Sequence, residues 1–255
     1  MKNQHILRFS LALTGILLMC LTVGSSTAQA RNPTSASLNE ALVTTQKNEL
    51  NIRVCAPTAG PFSTKLTNPY FPYREEDVFV LKGVEDGVNV RLEITALDET
   101  EVVAGVKTRV VEERAWEDGQ LHEVARNFFA QARDGTVCYF GEDVNFYEDG
   151  KVVSHEGSWR AGVGVNRPGI IMPAHPTVGM SYDQEVTPGI SEDHAVIVSK
   201  GKKATVPAGT YRNTLLTLET SPLDPGVEGF KRYARGVGLI EDAPLKLVRI
   251  IKRRR

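Results

Sequence analysis

The sequence predicts an all-β fold: an antiparallel meander of about ten strands, curved into a barrel or half-barrel, with a long irregular excursion around 157–190. Three observations carry that expectation. Val88, Val90, Leu92 and Ile94 alternate strictly with Asn89, Arg91, Glu93 and Thr95, the period-two mark of a strand with one buried face. Four Asp-Gly pairs, at 86–87, 118–119, 134–135 and 149–150, punctuate the same half of the chain. Asp-Gly supplies the positive φ angles of tight hairpin turns. No helical pattern long enough to cross between parallel strands lies between them.

Taken in order, residues 1–30 read as a signal peptide. Lys2 and Arg8 precede the apolar run Leu11–Val23, and Ala28-Gln29-Ala30 is a small-x-small cleavage site. The run is too short for a stable membrane span. Met19 before Cys20 departs from a lipobox, so cleavage is expected after Ala30, leaving a periplasmic or extracellular protein. Losing Lys2 and Arg8 makes the formal net charge of −1 two units more negative. Residues 31–66 read as a linker and irregular segment, with Pro57 and Pro61 breaking any regular run. Residues 67–251 form the single β domain. Its expected strands after the first alternating run are Lys107–Trp116, Gln120–Gln131, Thr136–Phe140 and Lys151–His155. Beyond the excursion come Ala195–Ser199, Lys203–Val206, Thr210–Thr220, Gly229–Ala234, Val237–Glu241 and Leu245–Ile251. Residues 252–255 are a basic tail. It is either a contact with an anionic surface such as lipid headgroups or a solvated terminus. An acidic exported body argues against nucleic acid as partner.

Two cysteines, Cys55 and Cys138, survive signal cleavage. An oxidising compartment favours a disulfide between them, with two separate thiols as the alternative. The bond would close a loop of about 84 residues, for which chain entropy gives roughly 4–5 kcal/mol.

NPYFP (Asn68–Pro72), the run HEGSW…PGIIMPAHP…QE…ED, VPAGTY (Val206–Tyr211), TSPLDPG (Thr220–Gly226) and YARGVGLIE (Tyr233–Glu241) resemble a group of secreted, mostly uncharacterised bacterial β-rich proteins. The VPAGTY and YARGVGLIE pieces are also similar to strand–turn–strand units of LolA-like half-barrels. The resemblance implies an exported β domain and carries no established activity. One departure stands out. Tyr73-Arg74-Glu75-Glu76 follows NPYFP where the group would have a Pro-Gly turn.

The excursion holds the candidate chemistry. His155, Glu156, Glu185 and Asp193 are suitable ligands for a divalent metal, although no His-Glu-x-x-His or Cys-x-x-Cys spacing supports one. The competing account is a set of solvated loop residues. Ser154-His155-Glu156 has triad residue types, but strand neighbours point apart, and there is no Gly-x-Ser-x-Gly elbow. No catalytic residue is assigned. Trp159, Tyr139, Phe140 and His175 are candidates for ligand contact; aromatics at such positions otherwise build a core. The first functional expectation is a non-enzymatic exported binding protein for an apolar molecule, an envelope component or a protein, with no confident cofactor. A metal-dependent, hydrolytic site and a purely structural envelope domain are the alternatives.

Overall fold

The computed structural model describes residues 48–252. The expected signal peptide, the first part of the linker and the last three arginines lie outside the described residues. The described residues form one continuous antiparallel sheet of fifteen strands, nearly closed into a barrel.

The first five strands form the expected meander: β1 (Val78–Glu85), β2 (Val88–Val103), β3 (Val106–Glu117), β4 (Gln120–Gln131) and β5 (Val137–Glu148). At 86–87, 118–119 and 149–150 both turn residues have positive φ, as the Asp-Gly pairs predict. Ala104-Gly105 makes a turn of the same kind between β2 and β3 without the sequence signal. Val90, Leu92, Ile94 and Ala96 of β2 are buried on the inner face.

The stretch expected to be irregular is built of short strands, which raises the count above ten. β6 (Lys151–Ser154), β7 (Trp159–Arg160) and β8 (Arg167–Met172) succeed one another along the free edge of β5. Then come β9 (Ser181–Asp183) and β10 (Glu185–Val186). The remaining strands return to long hairpins: β11 (His194–Val206), β12 (Gly209–Thr220), β13 (Gly229–Ala234), β14 (Gly238–Asp242) and β15 (Leu245–Ile251), the last pairing with β1. The two strands expected at Ala195–Ser199 and Lys203–Val206 are one strand, interrupted only by register shifts.

The path runs from β10 through β8, β5 and β1 to β11 and β9. Its two ends are separated by a single residue, Gln184. One short run of chain therefore bridges both edges of the sheet. The N–H groups of Gln184 and Glu185 both point to the Asp193 carbonyl, at 2.7 and 3.4 Å. Closure removes the unpaired edges that would otherwise invite association.

The segment before β1 covers the barrel twice. Cys55 and Cys138 are joined by a disulfide, and Phe62 meets Phe140 edge-on at 5.4 Å between centroids. These contacts hold the N-terminal segment against the outer face of β5. Such a bond fits an oxidising compartment. Asn68 then turns the chain inward. Its side-chain amide donates to the carbonyls of Gly135 and Pro173, both at 3.0 Å, and its oxygen accepts from the Tyr70 N–H. Phe71 and Tyr73 enter the core, where Phe71 packs on Phe129 and Tyr73 on Phe79. The NPYFP motif is thus an internal plug. The missing Pro-Gly turn is made by Glu75-Glu76, with Glu76 at φ 60°.

Candidate functional site

Strand alternation puts apolar residues inside this barrel, and at several inward positions the apolar pattern is broken by charge. Glu113 of β3 lies opposite Ile94 on β2 and Ala125 on β4. Glu142 of β5 lies opposite Asn127 on β4 and Trp159 on β7. Lys231 of β13 lies opposite Thr217 on β12 and Asp242 on β14. Directly paired residues share a face, so these groups look into one interior. Glu219 and Glu185 complete the set. Apart from the half-buried Asp242, these charged side chains are buried.

The charges fall into two groups. In the first, Lys231 Nζ lies 3.1 Å from Glu219 Oε2, with both side chains within 3% of full burial. Gln184 Nε2 and Thr217 Oγ1 each donate to Glu219 Oε1 at 3.2 Å. Burial alone would lower the Lys231 ammonium; Asp242, Glu219 and Glu113 together outweigh it and hold its pKa above the usual lysine value. Glu113 is pushed up to about 8, by burial first, with Lys231 opposing and Asp242 and Glu219 adding to the rise.

The second group centres on Glu185. Glu142 and Glu185 lie near one another, and burial followed by the charge of Glu142 raises the Glu185 carboxyl. Ser191 Oγ donates to Glu185 in a short hydrogen bond. The Trp159 indole N–H faces Glu185 and lowers its carboxyl slightly, without meeting full hydrogen-bond geometry. Tyr139 donates to Asn127 Oδ1 at 2.5 Å, and its ring meets Trp159 edge-on at 5.2 Å. Burial first, then Glu142, Glu185 and Glu113, push the Tyr139 hydroxyl far above its ordinary pKa.

Two glycines permit this arrangement. A Cβ on Gly141, at φ 145°, would lie 2.4 Å from the Trp159 carbonyl oxygen. A Cβ on Gly169 would lie 2.1 Å from the Gln184 carbonyl oxygen. Only glycine lets β7 and the Gln184 bridge approach so closely.

The residues expected from sequence are redistributed accordingly. Trp159, a ligand-contact candidate within the stretch expected to be irregular, is only 3% exposed and lines the interior; β7 pairing to β5 turns it inward. Tyr139 is an interior residue, whereas Phe140 points to the opposite face, beneath Phe62. His175 lies exposed in the loop between β8 and β9. The four metal candidates are not brought together. His155 and Glu156 sit on an exposed turn, with the His155 ring 3.1 Å from the Val144 carbonyl, while Glu185 and Asp193 are buried. Among the described residues no three His, Cys, Asp or Glu side chains converge as a metal set. Lys252, first residue of the basic tail, lines an open groove of about 900 Å³ with Lys65, Arg74 and Tyr73.

Glu113, Glu142, Glu219, Lys231 and Asp242 were not singled out in the sequence. Their signal was charge at core-phase positions. Val111, Glu113 and Ala115 are one alternating set, and so are Tyr233 and Lys231.

No family model, no curated protein and no solved structure matches this chain.

Proposed function

We propose that this is an exported, non-enzymatic binding protein that holds a small polar ligand inside the barrel. One observation carries the proposal. Buried polar atoms in the interior lack hydrogen-bond partners: Asn127 Nδ2, Trp159 Nε1, Gln184 Oε1 and Glu185 Oε1. An unpaired buried polar atom costs about 1–3 kcal/mol, and native proteins keep few of them. Several together, beside carboxylates with raised pKa, mark a place built for a guest. Small barrels are suited to enclosing one.

The polar lining favours a polar ligand over the apolar one suggested by the aromatic content. Export rests on Lys2, Arg8, the Leu11–Val23 run and the Ala28-Gln29-Ala30 site, and is supported by the disulfide. The mature protein would begin at Arg31, which intact-mass measurement on secreted protein checks directly.

The test is to purify the protein from the exported fraction without chelator, wash it, denature it and identify released small molecules by mass spectrometry. A single species at near one equivalent is the expected outcome. Washed protein that releases nothing, in repeated preparations, would leave a structural domain whose interior polar groups serve the fold alone.

A further inference from the structure

The outer face of the barrel carries a row of like charges. Lys82 of β1 lies directly opposite Lys246 of β15 on one side and Arg91 of β2 on the other. The row faces outward, since Phe79, Leu81, Leu92 and Ile94 hold the inner phase of β1 and β2. One step along the same face is Arg249, opposite Val80, and Lys252 follows the end of β15. Like charges set directly opposite one another destabilise a sheet. The carboxylates in these rows are Glu93, opposite Val80, and Glu241, opposite Lys246. Glu93 is held by Arg91 at 3.5 Å, and Glu241 by Arg232 at 2.9 Å with Lys246 at 3.8 Å. Lys82, Arg249 and Lys252 have no ion-pair partner among the described residues. Glu75 and Asp77 line the groove beside Lys252, but Lys65 and Arg74 line it too, and Glu75 is held by Arg109.

Apolar side chains flank these cations. Val84 is 57% exposed and Ile251 45%, both on the same outer face. Acidic side chains gather elsewhere. Glu117, Asp118, Glu148 and Asp149 border a groove at the end of the barrel where β1 turns into β2, away from Lys252. We propose that the outer face of β1 and β15 docks the protein on an anionic lipid bilayer. Lys82, Lys246 and Arg249 would lie at the headgroup phosphates, with Val84 and Ile251 at the boundary with the acyl chains. The proposal requires no ligand inside the barrel. A basic residue near an anionic membrane raises partitioning roughly five-fold, and exposed apolar side chains gain by entering the interface. A soluble polyanion would satisfy the cations alone, so Val84 and Ile251 favour a bilayer.

The test sediments the full mature protein with phosphatidylcholine vesicles containing about 30% phosphatidylglycerol. Binding is expected at low salt, and its loss on pure phosphatidylcholine or in about 0.5 M sodium chloride. Lys82→Gln with Arg249→Gln should weaken binding about ten- to thirty-fold. Lys107→Gln with Lys151→Gln, exposed on β3 and β6, removes the same charge and should weaken it less than about three-fold. Val84→Thr with Ile251→Thr should weaken vesicle binding about three- to ten-fold and leave binding to soluble polyphosphate unchanged. Lys82→Gln alone should raise the thermal midpoint at low salt by about 1–3 °C, because it relieves Lys246 and Arg91. No binding to anionic vesicles, or equal losses in the two charge variants, would overturn the proposal. Binding lost only when Arg253→Gln, Arg254→Gln and Arg255→Gln are combined would move it to the tail and overturn the face. Vesicle binding indifferent to Val84→Thr with Ile251→Thr, and matched by polyphosphate, would assign the face to a polymer instead. A fall in midpoint for Lys82→Gln would show that the row serves the fold, and would also overturn it.

Discussion

The meander β1–β5 and the closing segment from Ser154 to His194 build opposite arcs of the same barrel by different means. The meander is made of long strands joined by tight turns, and its rules are local: alternation and positive-φ turn residues. The closing segment is made of short strands laid end to end along β5 and bridged by Gln184. Its order depends on residues far away in sequence. Glu142 comes from the meander, Trp159 and Glu185 from the closing arc. The polar site therefore exists only where the locally specified half and the tertiary half meet. The regular half supplies a frame, and the irregular half decides what the frame encloses.

The sharpest way to expose the difference is the same substitution in each arc. Gly169→Ala would put a methyl 2.1 Å from the Gln184 carbonyl oxygen, a backbone atom that cannot swing aside. The bridge would have to leave β8, and we expect a loss of more than about 4 kcal/mol, or no folded protein. Gly87→Ala, in the β1–β2 turn at φ 87° with nothing within 4 Å of the added carbon, should cost only about 1 kcal/mol. Urea unfolding of both variants measures the pair. Similar losses would mean that closure at Gln184 contributes little.

The sequence was legible where structure is local. Gln120–Gln131, Gly229–Ala234 and Leu245–Ile251 are observed with the bounds that alternation and turns predict. The compartment argument from Cys55 and Cys138 agrees with the disulfide. The closing arc was not legible. Two- and three-residue strands such as Trp159–Arg160 and Ser181–Asp183 are too short for a period to register. Their strand character comes from β5 and β11, not from their own residues. The site failed to show for a related reason. His155 and Glu185 look alike in a sequence, yet one ends on an exposed turn and the other beside Glu142. A lysine on a predicted strand looks like a solvent-face residue until the register shows Lys231 beside buried Thr217.

A second comparison lies within the interior. The Lys231–Glu219 pair joins opposite charges, whereas burial and then the charge of Glu142 raise the Glu185 carboxyl. Lys231→Met strands Glu219 in the core, and the expected loss is about 3–5 kcal/mol. Replacing both partners, Lys231→Met with Glu219→Leu, removes the uncompensated charge and should recover most of that loss. Chemical denaturation of the two variants checks this. A double variant no better than the single would show that the pair's hydrogen bonds to Gln184 and Thr217, not its charges, are what the fold needs.

Protonation gives the interior a pH signature. Glu113 has its carboxyl raised from 4.5 to about 8 in the folded protein. Below about pH 4.5 it is protonated in both states and contributes no difference. Between 4.5 and 8 the unfolded chain ionises while the folded one holds its proton, so stability falls as pH rises. Above 8 both are ionised and the loss is complete. Lys231, with its pKa raised, behaves oppositely. Its stabilising contribution is fully present throughout this window and is lost only at strongly alkaline pH. Glu113→Gln should flatten the slope between pH 5 and 8 by about 1–3 kcal/mol. Glu112→Gln, whose neighbour Arg114 lies half-exposed, is the control from the same strand. A slope unchanged in Glu113→Gln would place the proton elsewhere in the cluster.

The smallest effect tests whether the meander obeys its own local rules throughout. Glu76 precedes β1 with φ 60°, the left-handed region that a side chain enters at a cost. Its N–H donates to the Ala96 carbonyl at 2.7 Å, so the backbone conformation is held by the sheet itself. Glycine would keep that hydrogen bond and relieve the steric cost, though it also frees the unfolded chain. The two effects oppose each other. Measured exchanges at unstrained sites give a few tenths to about 1 kcal/mol for the chain term, against roughly 1–2 kcal/mol for left-handed backbone. Glu76→Gly should therefore stabilise the protein by about 0.5–1 kcal/mol, read as a rise in the urea midpoint at unchanged slope. Glu76→Ala should not, since it keeps the Cβ. Destabilisation by Glu76→Gly equal to that by Glu76→Ala would show that the carboxylate, not the backbone, is what this turn requires.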